Sequence, residues 1–200
     1  LDLSPDGKTL VFDLLGDIYK LPVEGGEAVA IASGMPWQMQ PRFSPDGTQI
    51  AYISDRSGGD NLWLMNADGS EPHAITAESF RLLGNPAWHP SGRFIAARKH
   101  YTTSRSQGTG ELWLYHVDGG SGVALVERPS EMHQKEIGEP RFSPDGRYLY
   151  YSQDTTPGPI FEYAQDSNGQ IFQLRRFEME TGEIVDAVSG PGGAVRAEPS

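Results

Sequence analysis

A five-residue signature recurs along this chain: Leu3-Ser4-Pro5-Asp6-Gly7, Phe43-Ser44-Pro45-Asp46-Gly47, Trp88-His89-Pro90-Ser91-Gly92 and Phe142-Ser143-Pro144-Asp145-Gly146. Successive copies start 40, 45 and 54 residues apart, and Glu198-Pro199-Ser200 is aligned as the opening of a fifth. Units of that length exceed those of short helical solenoids and match a blade of four strands. The signature is a turn. Proline presets φ at the first corner, Asp or Ser bonds the backbone ahead, and Gly accepts the positive φ that closes the hairpin.

The rest of each unit is spelled in strands. After the turn come Leu10-Val11-Phe12, Ile50-Ala51-Tyr52, Ile95-Ala96-Ala97 and Leu149-Tyr150-Tyr151, short runs of β-formers between polar residues. A third run follows: Ile18 to Leu21, Leu62 to Met65, Leu112 to Tyr115 and Ile171 to Leu174, aligned so that the second position is always aromatic. Polar turns lead to a weaker fourth run, at Ala28 to Ile31, His73 to Thr76, Val123 to Val126 and Ile184 to Val188. No window sustains apolar residues at helical spacing, and 24 Gly and 15 Pro interrupt the chain throughout. The expected class is all-β: a β-propeller of four-stranded antiparallel blades. About four blades are present, near residues 1–35, 36–78, 79–128 and 129–190, with 191–200 starting a further repeat.

Composition narrows the partners. With 37% hydrophobic residues the chain can bury a core, and it has no apolar run long enough to span a bilayer. The net charge of −11 argues against nucleic acid, whose phosphates demand Lys/Arg clusters. The absence of cysteine rules out disulfides and thiolate metal sites. Residue 1 lies inside a repeat, so the chain is expected to be part of a longer polypeptide, and no targeting segment is visible in it.

Two sets of residues are candidates for contact. The residue before the repeat's inner proline is polar each time: Gln40, Asn85, Glu139 and Glu198. If that strand is innermost, these side chains line the central channel, either as ordinary wetted residues or as a ring that reads a ligand. The links between second and third strands lengthen along the chain, the last two running from Arg98 through Gly110 and from Gln153 through Gly169. They carry His100, Tyr101, Arg105, Phe161 and Tyr163, either packed among themselves or contacting a neighbouring domain.

No catalytic, cofactor or metal residues are assigned. The five His (His73, His89, His100, His116, His133) make no H-x-H and no H-E-x-x-H, and His89 fills the serine slot of its turn, a structural place. Asp55 to Asn61 lacks the glutamate that would complete a calcium loop. No G-x-S-x-G occurs; Gly119-Gly120-Ser121-Gly122 falls in a hairpin turn.

Laid out this way, the units resemble the TolB-like, WD-type bacterial propeller repeat, with its S-P-D-G turn and a strand like Leu62-Trp63-Leu64-Met65-Asn66-Ala67-Asp68-Gly69. That resemblance implies a ring of six or seven blades, of which this chain supplies part. Phe12 to Tyr19, Gln40 to Gly47 and Tyr150 to Pro159 further resemble the N-terminal propeller of bacterial amidohydrolases, in which a metal-dependent (β/α)8 domain follows. The resemblance implies a non-catalytic platform for interaction or substrate gating beside that domain, in a periplasmic or secreted protein. It carries over no metal ligand. Two other readings stay open: a free-standing TolB-like propeller binding envelope proteins, and the propeller of a prolyl-oligopeptidase-type peptidase.

Overall fold

The computed structural model describes residues 1–102, 108–162, 166 and 168–199, and among these the regular structure is sixteen strands. They are β1 (Asp2–Leu3), β2 (Thr9–Leu14), β3 (Asp17–Pro22) and β4 (Val29–Ala32); β5 (Gln38–Phe43), β6 (Gln49–Ser54), β7 (Asn61–Asn66) and β8 (His73–Ala74). The second half holds β9 (Leu82–Trp88), β10 (Phe94–Thr102), β11 (Gly108–His116) and β12 (Val123–Val126); β13 (Ile137–Phe142), β14 (Tyr148–Asp154), β15 (Phe172–Glu178) and β16 (Ile184–Val188). Each group of four is one antiparallel sheet whose spatial order follows the chain. The architecture is all-β, four blades of a propeller. Among the described residues no helix is long and apolar enough to cross a membrane.

The repeated turn folds as its chemistry requires. In the first blade the Gly7 N–H donates to the Ser4 carbonyl at 2.8 Å, and the Ser4 hydroxyl donates to Asp6 Oδ1 at 2.6 Å. Asp6 Oδ1 also accepts the Lys8 N–H. Ser44 with Asp46 and Ser143 with Asp145 repeat this network. The third blade substitutes His89, whose Nδ1 lies 2.8 Å from Ser91 Oγ while its ring meets Phe142 of the next blade edge-on. Gly7, Gly47, Gly92 and Gly146 all sit near φ +70°, where a Cβ would be strained.

Blades pack face to face in chain order. Val11 and Ile18 of blade 1 meet Phe43, Ile50, Tyr52, Trp63 and Met65 of blade 2. Ile53, Leu62, Leu64 and Ile75 of blade 2 meet Leu83, Ile95 and Tyr115 of blade 3. Ala96, Leu112 and Val126 of blade 3 meet Ile137, Leu149, Tyr151 and Phe177 of blade 4. The second strand of blade 2, sandwiched on both faces, is buried from Ile50 to Ser54, whereas β2 of the first blade buries only Val11. Outer strands β4, β8 and β16 stay largely solvated, while β12 buries Val126 against blade 4.

Two readings of strand positions change. Pairing sets Ile50 opposite Met65 and Leu149 opposite Phe177. The blade 4 residue matching Trp63 is therefore Arg175, not Phe172, and the recurring aromatic is absent there. Counting back from the turn Glu180-Thr181-Gly182, rather than forward across a long link, recovers this register. The link from Arg98 through Gly110 is also mostly strand: His100 pairs with Gly110 and Tyr101 with Thr109, extending the β10–β11 hairpin.

Candidate functional site

The innermost strands of blades 2, 3 and 4 share a defect at the predicted polar position. Gln40, Asn85 and Glu139 have φ of 55°, 52° and 56°, the left-handed region. In each, the polar residue and the following proline form a bulge: pairing skips from Met39 to Arg42, from Gly84 to Ala87 and from Gly138 to Arg141. Proline suits the bulge because it has no N–H to leave unpaired. Left-handed non-glycine residues cost free energy and concentrate where function maintains them.

The fourth member of this set is Arg196, with φ 57°, rather than Glu198. Alignment on Glu-Pro alone misplaces the last unit by two residues. The shift makes Ala197, buried like the inner prolines, their counterpart, and Glu198 the counterpart of Arg42 and Arg141. The bulges are linked between blades. Gln40 Oε1 accepts the Asn85 N–H at 2.6 Å, and the Arg196 guanidinium lies 2.8 Å from Glu139 Oε1. Glu139 Oε2 accepts the Ser152 hydroxyl, which in turn accepts the Arg196 N–H.

Two residues beyond each bulge lies a second layer that motif reading missed. Asp2, Arg42, Ala87, Arg141 and Glu198 occupy equivalent positions and together line a hub cavity of about 280 Å³. A neighbouring cavity of about 250 Å³ shares Arg42, Arg141 and Glu198 and reaches Asn85, Glu139 and Arg196. The signal was available: an arginine follows the inner proline in Gln40-Pro41-Arg42 and Glu139-Pro140-Arg141, one period of two beyond a channel residue. Neighbouring blades clamp the Arg42 backbone. Asp2 Oδ2 accepts the Phe43 N–H at 2.8 Å, and Trp88 Nε1 donates to the Arg42 carbonyl at 3.0 Å. Burial, then the like charge of Arg141, pushes the Arg42 guanidinium below its ordinary pKa, with Asp2 acting the other way.

Of the predicted loop residues, the described ones, His100, Tyr101 and Phe161, do not line the hub cavities. His100 and Tyr101 continue β10, and Arg81 and Arg128 stack over Tyr101 at 4.3 and 3.9 Å from its centroid. Burial and the adjacent Glu111 raise the Tyr101 hydroxyl to about 12, while burial and Arg98 lower His100. Phe161 donates its N–H to Gln134 Oε1 in blade 4. Arg105 and Tyr163 lie outside the described residues. Between blades 2 and 3, a groove of about 920 Å³ is lined by Trp113, Tyr115 and a Lys99–Glu78 pair at 2.6 Å. Lys99 is already committed there, over the Trp113 ring at 4.2 Å. No group of three or more metal-ligating side chains gathers among the described residues.

The sequence signature of PD40, the TolB beta propeller domain, matches residues 2–191. The uncharacterized peptidase YuxL of Bacillus subtilis is 28% identical over 171 residues, which cover 70% of this chain and 25% of that protein. A candidate Tricorn-like protease C-terminal subunit of Sulfurisphaera tokodaii is 27% identical over 151 residues, covering 76% of this chain and 16% of that one. The chain thus spans a quarter or less of the length of these two relatives. A TolB candidate from Agrobacterium tumefaciens superposes with a TM-score of 0.76 at 20% identity, over 100% of this chain and 64% of that structure.

Proposed function

The chain belongs to the TolB beta propeller domain family, and on that premise we propose that it is a non-catalytic interaction and substrate-gating platform for a hydrolase domain on the same polypeptide. The observation that carries this reading is the hub. Asn85, Glu139 and Arg196, each on backbone held in the left-handed region, line one shared cavity, and Gln40, in the same conformation, bonds the Asn85 N–H beside it. Such a ring is built to touch something that lies on or passes through the axis, and binding residues carried on a rigid frame are the usual way a propeller acts. Pairing with a hydrolase draws support from the two relatives named for peptidase or protease activity, in which the matched region is a minor part of a longer protein.

Within that class the downstream domain is read as a metal-dependent amidohydrolase, on the segments Phe12 to Tyr19, Gln40 to Gly47 and Tyr150 to Pro159. A periplasmic or extracellular location is part of this reading, and the likeness to TolB supports it. A peptidase of the prolyl-oligopeptidase type is the second reading, and the similarity to YuxL favours it. Hydrolysis assays on the full-length protein separate the two. Loss of turnover on chelation is expected for the amidohydrolase, and inactivation by a serine-directed fluorophosphonate for the peptidase. Gating is tested by Asn85→Trp, which crowds the hub. Turnover of large substrates should fall several-fold while that of a small chromogenic amide or ester holds. Equal effects on both, or none on either, contradict the gate, as would turnover by residues 1–200 alone.

A further inference from the structure

We propose that the hub layer built from Arg42, Ala87 and Arg141 is an oxyanion-binding site, whose ligand is a carboxylate or a phosphate presented at the axis. Only its biological role rests on the gating reading; the binding chemistry stands on the geometry. In blade order this layer reads Asp2, Arg42, Ala87, Arg141, Glu198: two guanidinium groups with a methyl group on the blade between them. The small residue leaves the notch open, and the resulting space of about 280 Å³ admits a carboxylate or phosphate group with part of its carrier.

The charges nearby are mostly spent on other bonds. Asp2 accepts the Phe43 backbone N–H. Glu139 is held by Arg196 and Ser152. Glu198, with 80% of its side chain exposed, stands 3.6 Å from Arg141, a contact too long for a strong charge-assisted hydrogen bond. Arg42 donates Nη1 only to carbonyl oxygens, of Leu1 and Pro41. Its Nε is buried without a hydrogen-bond acceptor among the described residues. A buried, unsatisfied guanidinium N–H is costly, and an oxyanion is the partner its fork geometry fits best. The same cavity sets the two arginines against Asp2 and Glu198, but Asp2 is bonded to the Phe43 N–H and Glu198 is exposed at 3.6 Å from Arg141, so an oxyanion at the axis finds both guanidinium groups open to it.

The test is a fluorescence-anisotropy titration of the full-length protein with a short labelled peptide ending in a free carboxylate. The same peptide ending in an amide, and inorganic phosphate as competitor, complete the set. The carboxylate form is expected to bind about tenfold or more tighter than the amide, the change equivalent to roughly 1.4 kcal/mol. Arg42→Gln and Arg141→Gln should each weaken it by a similar factor. Glu198→Gln removes the carboxylate that stands 3.6 Å from Arg141 and should tighten binding by removing the resident competitor. Phosphate that binds where the carboxylate peptide does not keeps the site and assigns it to phosphoryl ligands. Equal binding of acid and amide forms without phosphate competition overturns the proposal, as does unchanged binding by folded Arg42→Gln and Arg141→Gln, or by Glu198→Gln. Because no hydrolysis is read, failure here leaves the gating test untouched, and the reverse also holds.

Discussion

At the scale of single residues, the left-handed backbone of Gln40 poses a question of cost. A β-branched residue tolerates φ near +55° poorly, whereas glycine tolerates it freely. Gln40→Val should destabilise the protein by about 1–3 kcal/mol, the range for a strained backbone residue. Gln40→Gly should lose less, since it relieves the strain while giving up only the bond to the Asn85 N–H. Denaturant melts of the two variants decide the matter; a valine variant as stable as the glycine one would mean that the bulge relaxes at little cost. Polar identity before the proline was visible in sequence, but the reason for it was not. The side chains of Gln40 and Glu139 bond across to the next unit, at the Asn85 N–H and at Arg196, while Asn85 belongs to the short polar type that accepts this backbone more readily than other residues.

At the scale of elements, the turn is the most legible part of the chain, because its bonds join residues only a few positions apart. The Ser44 hydroxyl, followed by the Thr48 N–H and hydroxyl, holds the Asp46 carboxyl below its ordinary pKa. A carboxylate whose folded pKa is depressed adds stability above its unfolded value near 4, and that stability is lost as pH falls through the lower folded value. Asp46→Asn should therefore be less stable than the parent at neutral pH, and the gap should close as the pH drops below about 4. Thermal melts between pH 7 and pH 3 measure this, and a gap that stays constant over that range would refute the attribution. Ser91, in the third blade's turn, has no such titration. Strand registers were less legible. The aromatic alignment failed in blade 4 because a period of two cannot be carried across a link as long as Thr155 to Ile171, and the hairpin pairing places Arg175 opposite Tyr151.

At the scale of the whole molecule, stability resides between blades. Trp63 is 8% exposed and packs against blade 1, so Trp63→Ala should cost about 3–5 kcal/mol. Trp113 holds the equivalent place but lines the open groove beneath Lys99, with its Nε1 bonded to Glu111 at 3.0 Å. Trp113→Ala should cost clearly less, about 1–2 kcal/mol, since less of its area leaves water on folding. Equal losses in chemical denaturation would imply that the groove closes over Trp113 in solution. In the third interface Arg175, paired to Asp186 at 3.0 Å, takes the aromatic's place.

Repeat length, turn chemistry and alternating apolar runs were enough to specify blades and their number, because each depends on residues close in the chain. The hub depended on distance of another kind. Arg42 and Arg141 are almost a hundred positions apart and meet only because equivalent strand positions converge on one axis. Local periodicity says that such residues share a face; which charges then crowd one another, and whether an Ala87 leaves room between them, is decided by how the blades close around that axis.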